Sequence, residues 1–323
     1  MQYIFKQIYN IFINSAGISI DSRSTKSGQI FLAIKGENSD GNSYVEDAFN
    51  SGAMYCITNR TELLNDNRCI IVSDTYQTLV DLAKMHRKHF SIPVLAITGS
   101  NGKTTSKELI AKMLSTKYNV LFTEGNLNNE LGLPLTILKL NKTHEIAVVE
   151  MGAAKLGDIN LLCEIAKPTH GLITTIGRAH IGRFGSFENI IKAKTELFDF
   201  LRKHNGLAFI NEDDPILKSF AHSLNTIFFG INNPNTQVSN VSAQPFLSFE
   251  WIYNDKKYKI KTHFFGDYNL VHTLAAISIG LYFNISPENI VKAITEYLPT
   301  NSRSQIIYTD KNIVIMDAYN ANP

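Results

Sequence analysis

The chain has 323 residues, with 31 Lys plus Arg against 29 Asp plus Glu, and is 44% hydrophobic and 19% charged. At roughly 100 to 200 residues per domain this predicts two or three domains with real cores, and it excludes disordered, collagenous and low-complexity chains. A net charge of +2 supplies no basic stripe able to track a phosphate backbone, which argues against dedicated nucleic-acid binding.

The opening residues, MQYIFKQIYNIFINS, set Ile4, Ile8, Ile11 and Phe12 at helical spacing. They lack a basic leader before a continuous apolar run and a small-residue cleavage site, so they are not read as a signal peptide. No window approaches 18 consecutive apolar residues, hence no transmembrane candidate. Up to about residue 90, short apolar runs (Ile30 to Ile34, Met54 to Thr58, Cys69 to Val72) separated by turn chemistry predict a small α/β domain, 1–90. The three cysteines, Cys56, Cys69 and Cys163, form no CxxC pair and lie in or beside apolar stretches, as reduced core thiols of a cytosolic protein do.

From Ile92 the pattern becomes an alternation of β-branched runs and amphipathic helical segments: IPVLAIT, KTTSKELIAKMLS, EIAVVEM, LGDINLLCEIA, HGLITTI, FENIIKAKTELFDFLRK. Such spacing predicts βαβ units and a mostly parallel, doubly wound sheet, so that the fold class is α/β with a central domain over 91–304. Gly206 to Asn211 and Thr226 to Gly230 continue the strand series. Residues 245 to 265 carry two alternating runs around Asn254-Asp255 and predict an antiparallel hairpin at the sheet edge. Helices are expected over about 268 to 283 and 287 to 297, the second opened by Ser286-Pro287-Glu288. A strand, IVIMD, then leads into DAYNANP, which reads as the opening of a further domain (305–323) with nothing after it, as in a fragment.

The sharpest local signal is TGSNGKTT, Thr98 to Thr105, directly after an apolar strand and directly before a helix. In that context glycines let backbone N–H groups turn inward around anionic oxygens, the helix N-terminus adds partial positive charge, and Lys103 reaches the outer phosphates. Thr104 would place its hydroxyl on Mg²⁺. The first glycine is Gly99 and position 97 is Ile, so this P-loop is the shorter GxxGKTT variant. Glu150 ends the strand EIAVVE, which puts a hard oxygen ligand at the same edge of a parallel sheet, suited to a phosphate-bound Mg²⁺.

TGSNGKTT, GNLNNELGLPLT, VVEMGA, GRAHIGRFGS, KAKTELF, SRSQ and DAYNANP occur here in the order found in the Mur ligases, and the chain resembles the MurF type of that family. The segment 21–53 resembles the N-terminal domain that holds the UDP end of the substrate. The resemblance implies an ATP-dependent ligase of peptidoglycan precursor synthesis, cytoplasmic and monomeric. Its substrates would be UDP-N-acetylmuramoyl-tripeptide and D-alanyl-D-alanine, joined through an acyl phosphate. It also implies that a C-terminal Rossmann-like domain is absent except for its first strand, and that ligation by this chain alone is weak or absent.

Residue by residue, the resemblance implies that Gly99, Ser100, Asn101, Gly102, Lys103, Thr104 and Thr105 cradle the phosphates, with Thr104 and Glu150 on one Mg²⁺. His180 would help bind a second Mg²⁺, and Lys194, nine residues after Gly185, matches the family lysine that is carbamylated and so becomes an anionic oxygen ligand. Lys103, Lys194 and His180 are thus the expected catalytic residues. Asn269 would contact the adenine, and Arg303 and Asp317 would reach the nucleotide. Asn128 and Asn129 match a segment near the ATP phosphates and the reacting carboxylate, with loop and cap asparagines as the alternative. Ser22, Arg23, Gly41 and Asn42 match the uridine diphosphate site or are simply turn residues. Three positions depart from the family pattern: Asn42, Tyr268 and His272 stand where His, His and Asn are usual. A ligase with the same core but another substrate, such as a folylpolyglutamate synthase, and a non-catalytic nucleotide-binding module are the competing readings. The segment 21–53 argues against the first; intact Lys103, Glu150, His180 and Lys194 argue against the second, while the short C-terminus argues for it.

Overall fold

In the computed structural model, which describes residues 2–36, 39–178, 181–299 and 305–316, the chain folds as two units. The first gathers the residues up to Ser91 together with Glu130–Asn141 and Glu164–Ala166, and the second holds the remainder. In the first, α1 (Gln2–Ile13) precedes a four-stranded parallel sheet in the order β1 (Ile18–Ser19), β2 (Ile30–Leu32), β3 (Tyr55–Thr58), β4 (Cys69–Ile71), with α2 (Val45–Asn50) between β2 and β3 and α3 (Thr75–Arg87) after β4. Helical spacing in α1 turns Ile8 and Phe12 inward, 2% and 5% exposed. Asp74 starts α3 by accepting the Gln77 amide at 2.9 Å, an N-cap that satisfies one of the unpaired first-turn donors.

The second unit opens with β5 (Val94–Thr98) and α4 (Lys103–Leu114), then β6 (Val120–Phe122). The next helix, α5 (Gly132–Ile137), crosses to the first unit and packs on α3. The chain continues through β7 (Ile146–Glu150), α6 (Asp158–Ala166), β8 (His170–Ile173), α7 (Ile181–Phe184), α8 (Phe187–Lys203), β9 (Leu207–Asn211), α9 (Pro215–Ser219) and β10 (Asn225–Phe229). These strands form one parallel sheet, ordered β10-β9-β8-β5-β7-β6. The chain leaves β5 toward one side, builds β6 and β7, and only then lays β8 on the other side. The switch point of this doubly wound sheet therefore lies at the C-terminal end of β5. Every residue of β5, β7 and β8 is buried, as strands covered on both faces must be.

The hairpin around Asn254-Asp255 is present, but not at the edge of the parallel sheet as its position predicted. It pairs with β11 (Val238–Ala243) in a separate three-stranded antiparallel sheet of β11, β12 (Phe246–Tyr253) and β13 (Lys256–Phe265). The reason lies in its inward residues. Leu247, Phe249, Trp251, Ile260 and Phe264 are nearly inaccessible and join one core with Leu109, Ile110 and Met113 of α4 and with α10 (Leu270–Tyr282) and α11 (Pro287–Thr295). That apolar face has to pack on helices and so cannot extend the buried parallel sheet. Helices α4 and α10 cover the sheet on one side, and α8 packs on β5, β8 and β9. Beyond α11, β14 (Gln305–Tyr308) and β15 (Ile313–Met316) form an antiparallel ladder. The three cysteines are free thiols, and burial pushes Cys56 up to about 12, which makes it inert at neutral pH.

Candidate active site

The switch point is occupied by the glycine-rich loop. Gly99 and Gly102 have φ of +145° and +75°, values that favour glycine. Both are also required by contact: a Cβ on Gly99 would stand 2.1 Å from Thr174 Oγ1, and one on Gly102 would stand 1.9 Å from the His272 ring. The segment after β8 fastens the loop from the neighbouring strand. Ser100 N donates to Thr175 O at 2.8 Å, Ser100 Oγ and Gly177 exchange two hydrogen bonds of 2.9 Å, and Thr174 Oγ1 donates to Asn101 O at 2.6 Å. Gly102 then caps α4, so the free amides of the first helical turn and the positive end of the helix dipole sit at the loop. Lys103 Nζ donates to Gly99 O (2.9 Å) and Ser100 O (3.2 Å), and Thr104 is buried beside it.

Glu150 is paired in register with Ile97 of β5, two residues before Gly99, so its carboxylate lies at the same sheet edge as the loop. The residue is 2% exposed. Its Oε1 accepts from Asn128 Nδ2 at 2.7 Å, while Oε2 is buried and, among the described residues, has no hydrogen-bond partner. A buried carboxylate oxygen left unmatched is expensive unless a cation completes it. The donor set fits Mg²⁺, which takes one or two protein oxygens and completes its shell with phosphate and water. Among the described residues no group of three or more His, Cys, Asp and Glu is arranged to hold a metal ion. Behind Glu150, the fully buried Lys107 donates to Thr123 O (2.7 Å), and Thr123 Oγ1 accepts the Glu150 amide (3.0 Å).

Lys194 lies on the inner face of α8, 4% exposed, with Nζ 5.7 Å from the Phe184 ring centre. Burial, and next the charge of Lys103, hold its amine down at about 7, against weaker support from Asp158 and Glu196. Asn269 precedes α10, is buried, and donates from Nδ2 to Phe265 O, while Tyr268 beside it is exposed. Asn129 is exposed.

In the other unit, Ser22, Gly41 and Asn42 are buried and Arg23 projects into solvent, paired with Asp21 at 2.8 Å. Both ends of the Asn42 amide are committed, to Asp40 Oδ1 (2.7 Å) and Thr58 Oγ1 (2.6 Å). His180, Arg303 and Asp317 lie outside the described residues. The structure thus gathers the loop, Asn128, Glu150 and Lys194 in one unit. It adds Thr174, Thr175, Lys107 and the contact of His272 with the loop. Of these only His272 carried a signal in the sequence, as a departure from the family pattern.

A parallel doubly wound sheet with a phosphate loop at its switch point defines a nucleotide-binding α/β protein. A model of the Mur ligase middle domain matches residues 97–280, and a model of the Mur ligase family catalytic domain matches residues 14–95. The chain belongs to the Mur ligase family. It is 38% identical over 314 residues to the UDP-N-acetylmuramoyl-tripeptide–D-alanyl-D-alanine ligase of Bacillus subtilis (strain 168), covering 95% of this chain and 67% of that protein. With the ligase of the same name from Synechocystis sp. it shares 35% identity over 305 residues, 93% of this chain and 65% of the relative. Among solved structures, MurF from Acinetobacter baumannii superposes with a TM-score of 0.83 at 31% identity, covering 94% of this chain and 68% of that one. MurF from Thermotoga maritima in complex with ADP superposes with a TM-score of 0.81 at 30% identity, covering 94% and 71%. The chain therefore spans about two thirds of the length of the relatives it matches. Among the described residues no helix is long and apolar enough to cross a membrane.

Proposed function

We propose that this chain carries the UDP-precursor and ATP sites of a ligase that joins D-alanyl-D-alanine to UDP-N-acetylmuramoyl-tripeptide, in peptidoglycan precursor synthesis. The single observation that carries the reading is the pairing of the glycine loop with Glu150, whose Oε2 is buried and unmatched at the same sheet edge. Bound ATP with Mg²⁺ would supply the phosphoryl group that activates the substrate carboxylate for attack by the incoming amine. In that role the loop amides of 99–105 and Lys103 hold and orient the phosphate oxygens, and Lys103 offsets charge on the group being transferred. Thr104 and Glu150 hold one metal ion, and His180 and Lys194 the second. Lys194, buried and largely neutral near pH 8, has the free electron pair needed to form an N–C bond to CO₂ and, on release of an N–H proton to solvent, become an anionic carbamate ligand. Asn269, Arg303 and Asp317 are assigned to the nucleotide, Asn128 and Asn129 to the neighbourhood of the reacting carboxylate, and Ser22, Arg23, Gly41 and Asn42 to the uridine diphosphate. The proposal assigns the reaction to the cytoplasm and has the chain act as a monomer, which sedimentation checks.

Calorimetric titration of the 323-residue chain tests the substrate site. UDP-N-acetylmuramoyl-tripeptide should bind more tightly than both the dipeptide precursor and UDP. Equal affinities, or none, in a folded sample would remove the substrate assignment. Titration with MgADP tests the nucleotide site separately.

A further inference from the structure

His272 lies in the first turn of α10 and is 5% exposed. Its Nδ1 shares a 3.1 Å hydrogen bond with Ser106 Oγ, one turn into α4. Ser106 N in turn donates to Gly102 O at 2.9 Å, the first helical bond of α4. On the loop side, the ring fills the space beside Gly102: a side chain there would begin 1.9 Å from Cε1 and 2.2 Å from Nε2. One imidazole therefore touches both ends of the turn that converts the phosphate loop into a helix. Burial holds His272 down at about 4, so this ring carries no charge at neutral pH. An uncharged ring can pack at the positive end of α4 without adding repulsion.

We propose that His272 is a positioning residue for the phosphate loop, holding the left-handed turn at Gly102 and the first turn of α4 through Ser106, and that it does not read the nucleotide base. The inference rests on the ATP-site reading of the loop for its functional consequence, whereas its structural content stands without it. Position 272 would then act on every diphosphate or triphosphate alike, by keeping the amides of 99–105 aimed at the anionic oxygens before the ligand arrives. The shape of the contact explains why the pair is Gly102 with His272: the larger ring occupies the volume the missing side chain leaves.

The test uses the 323-residue chain with His272→Ala, His272→Asn and Ser106→Ala. Hydrogen exchange of the amides of 99–106, measured without ligand, should speed up at least about tenfold in His272→Ala while that of Leu207–Asn211 stays unchanged. Affinities for MgADP and for the magnesium complex of inosine diphosphate, whose base carries a 6-oxo group and an N1 proton in place of the 6-amino group and free N1, should fall by the same factor, about tenfold, with their ratio preserved. His272→Asn keeps an acceptor for Ser106 and should recover part of both losses; Ser106→Ala should show a milder version of each. Unchanged exchange over 99–106 overturns the proposal. So does a change in the ADP-to-IDP ratio, which would mean that His272 reads the base, or faster exchange spread evenly over the unit, which would mean general loosening. If the unsubstituted chain binds neither nucleotide, the ATP-site reading fails, and the exchange comparison still decides whether His272 holds the loop. Should His272→Ala fail to fold, His272→Asn and Ser106→Ala carry the same comparison.

Discussion

Asn128 Nδ2 donates to Glu150 Oε1 at 2.7 Å, and this bond decides which carboxylate oxygen is left for a cation. The loop bearing Asn128 is itself tied to the far side of Glu150, because Gly152 N donates to Asn128 O at 2.7 Å. Asn128 thus acts on the proposed metal site through Glu150. Partners of metal ligands are typically worth about 10- to 100-fold in affinity. Asn128→Ala should raise the Mg²⁺ concentration needed for half-maximal ADP binding by about tenfold, measured by calorimetry at fixed ADP, and Glu150→Gln by more. An unchanged Mg²⁺ dependence in Glu150→Gln would remove this carboxylate from the metal site.

Lys194 should form a carbamate. Burial is the main cause of its lowered basicity and the charge of Lys103 the next, so at pH 8 most of the amine is unprotonated. A chain equilibrated with ¹³C-bicarbonate should show a carbamate carbon resonance that is lost in Lys194→Ala. In Lys103→Met the amine loses a repelling neighbour, its pKa rises from about 7, and less carbamate should form at pH 7. A resonance that survives Lys194→Ala would place the modification elsewhere.

The second unit should lose stability in mild acid. His170 and His272 are both held down at about 4 by burial, against an ordinary 6.5. His170 packs inside the sheet, bonded to Thr169 Oγ1 (2.8 Å) and Tyr282 Oη (3.0 Å). As pH falls below 6.5 the unfolded chain takes up two protons that the folded one refuses until about 4. Stability therefore falls with pH across that window and levels off beneath it, by on the order of 3 kcal/mol per histidine. Urea melts at pH 7.5 and 4.5 should differ accordingly, and the double variant His170→Gln with His272→Asn should flatten the difference. A slope that the double variant leaves intact would assign the acid loss to other groups.

Much of this architecture was legible in the sequence because its signals are local. Apolar runs of strand length, a cap at Ser186 and the 3.6-residue spacing of Ile190, Ala193, Leu197 and Leu201 determine α8 without reference to the rest of the chain. The turn at Asn254-Asp255 is equally local, with φ of +49° and +61° as a two-residue hairpin requires. What lay beyond reach depends on which faces meet. The hairpin's partner β11 reads VSNVSA, with little apolar alternation, and it pairs through its backbone against β12. Helix α5, six residues long, takes its place from α3, far away in sequence. The site divides the same way. The glycine loop, Glu150 and Lys194 were visible as motifs, whereas Thr174, just past β8, and Lys107, one turn along α4, had no motif of their own, and His272 of α10 showed only as a departure from the family pattern.

Gly99 provides the strictest test of the loop geometry. Its φ of +145° costs an alanine on the order of 1–3 kcal/mol, and the added Cβ would overlap Thr174 Oγ1 at 2.1 Å. Thr174 cannot easily yield, since that oxygen is the one bonded to Asn101 O at 2.6 Å. Gly99→Ala should therefore lower the melting temperature and abolish measurable MgADP binding. Thr174→Ala alone gives up a buried hydrogen bond, about 1 kcal/mol. Combined, the two substitutions should cost less than their sum, because the alanine at 174 removes the atom that the alanine at 99 strikes, while the backbone strain persists. Strict additivity of the two losses in melting temperature would show that the overlap with Thr174 is not what makes residue 99 a glycine.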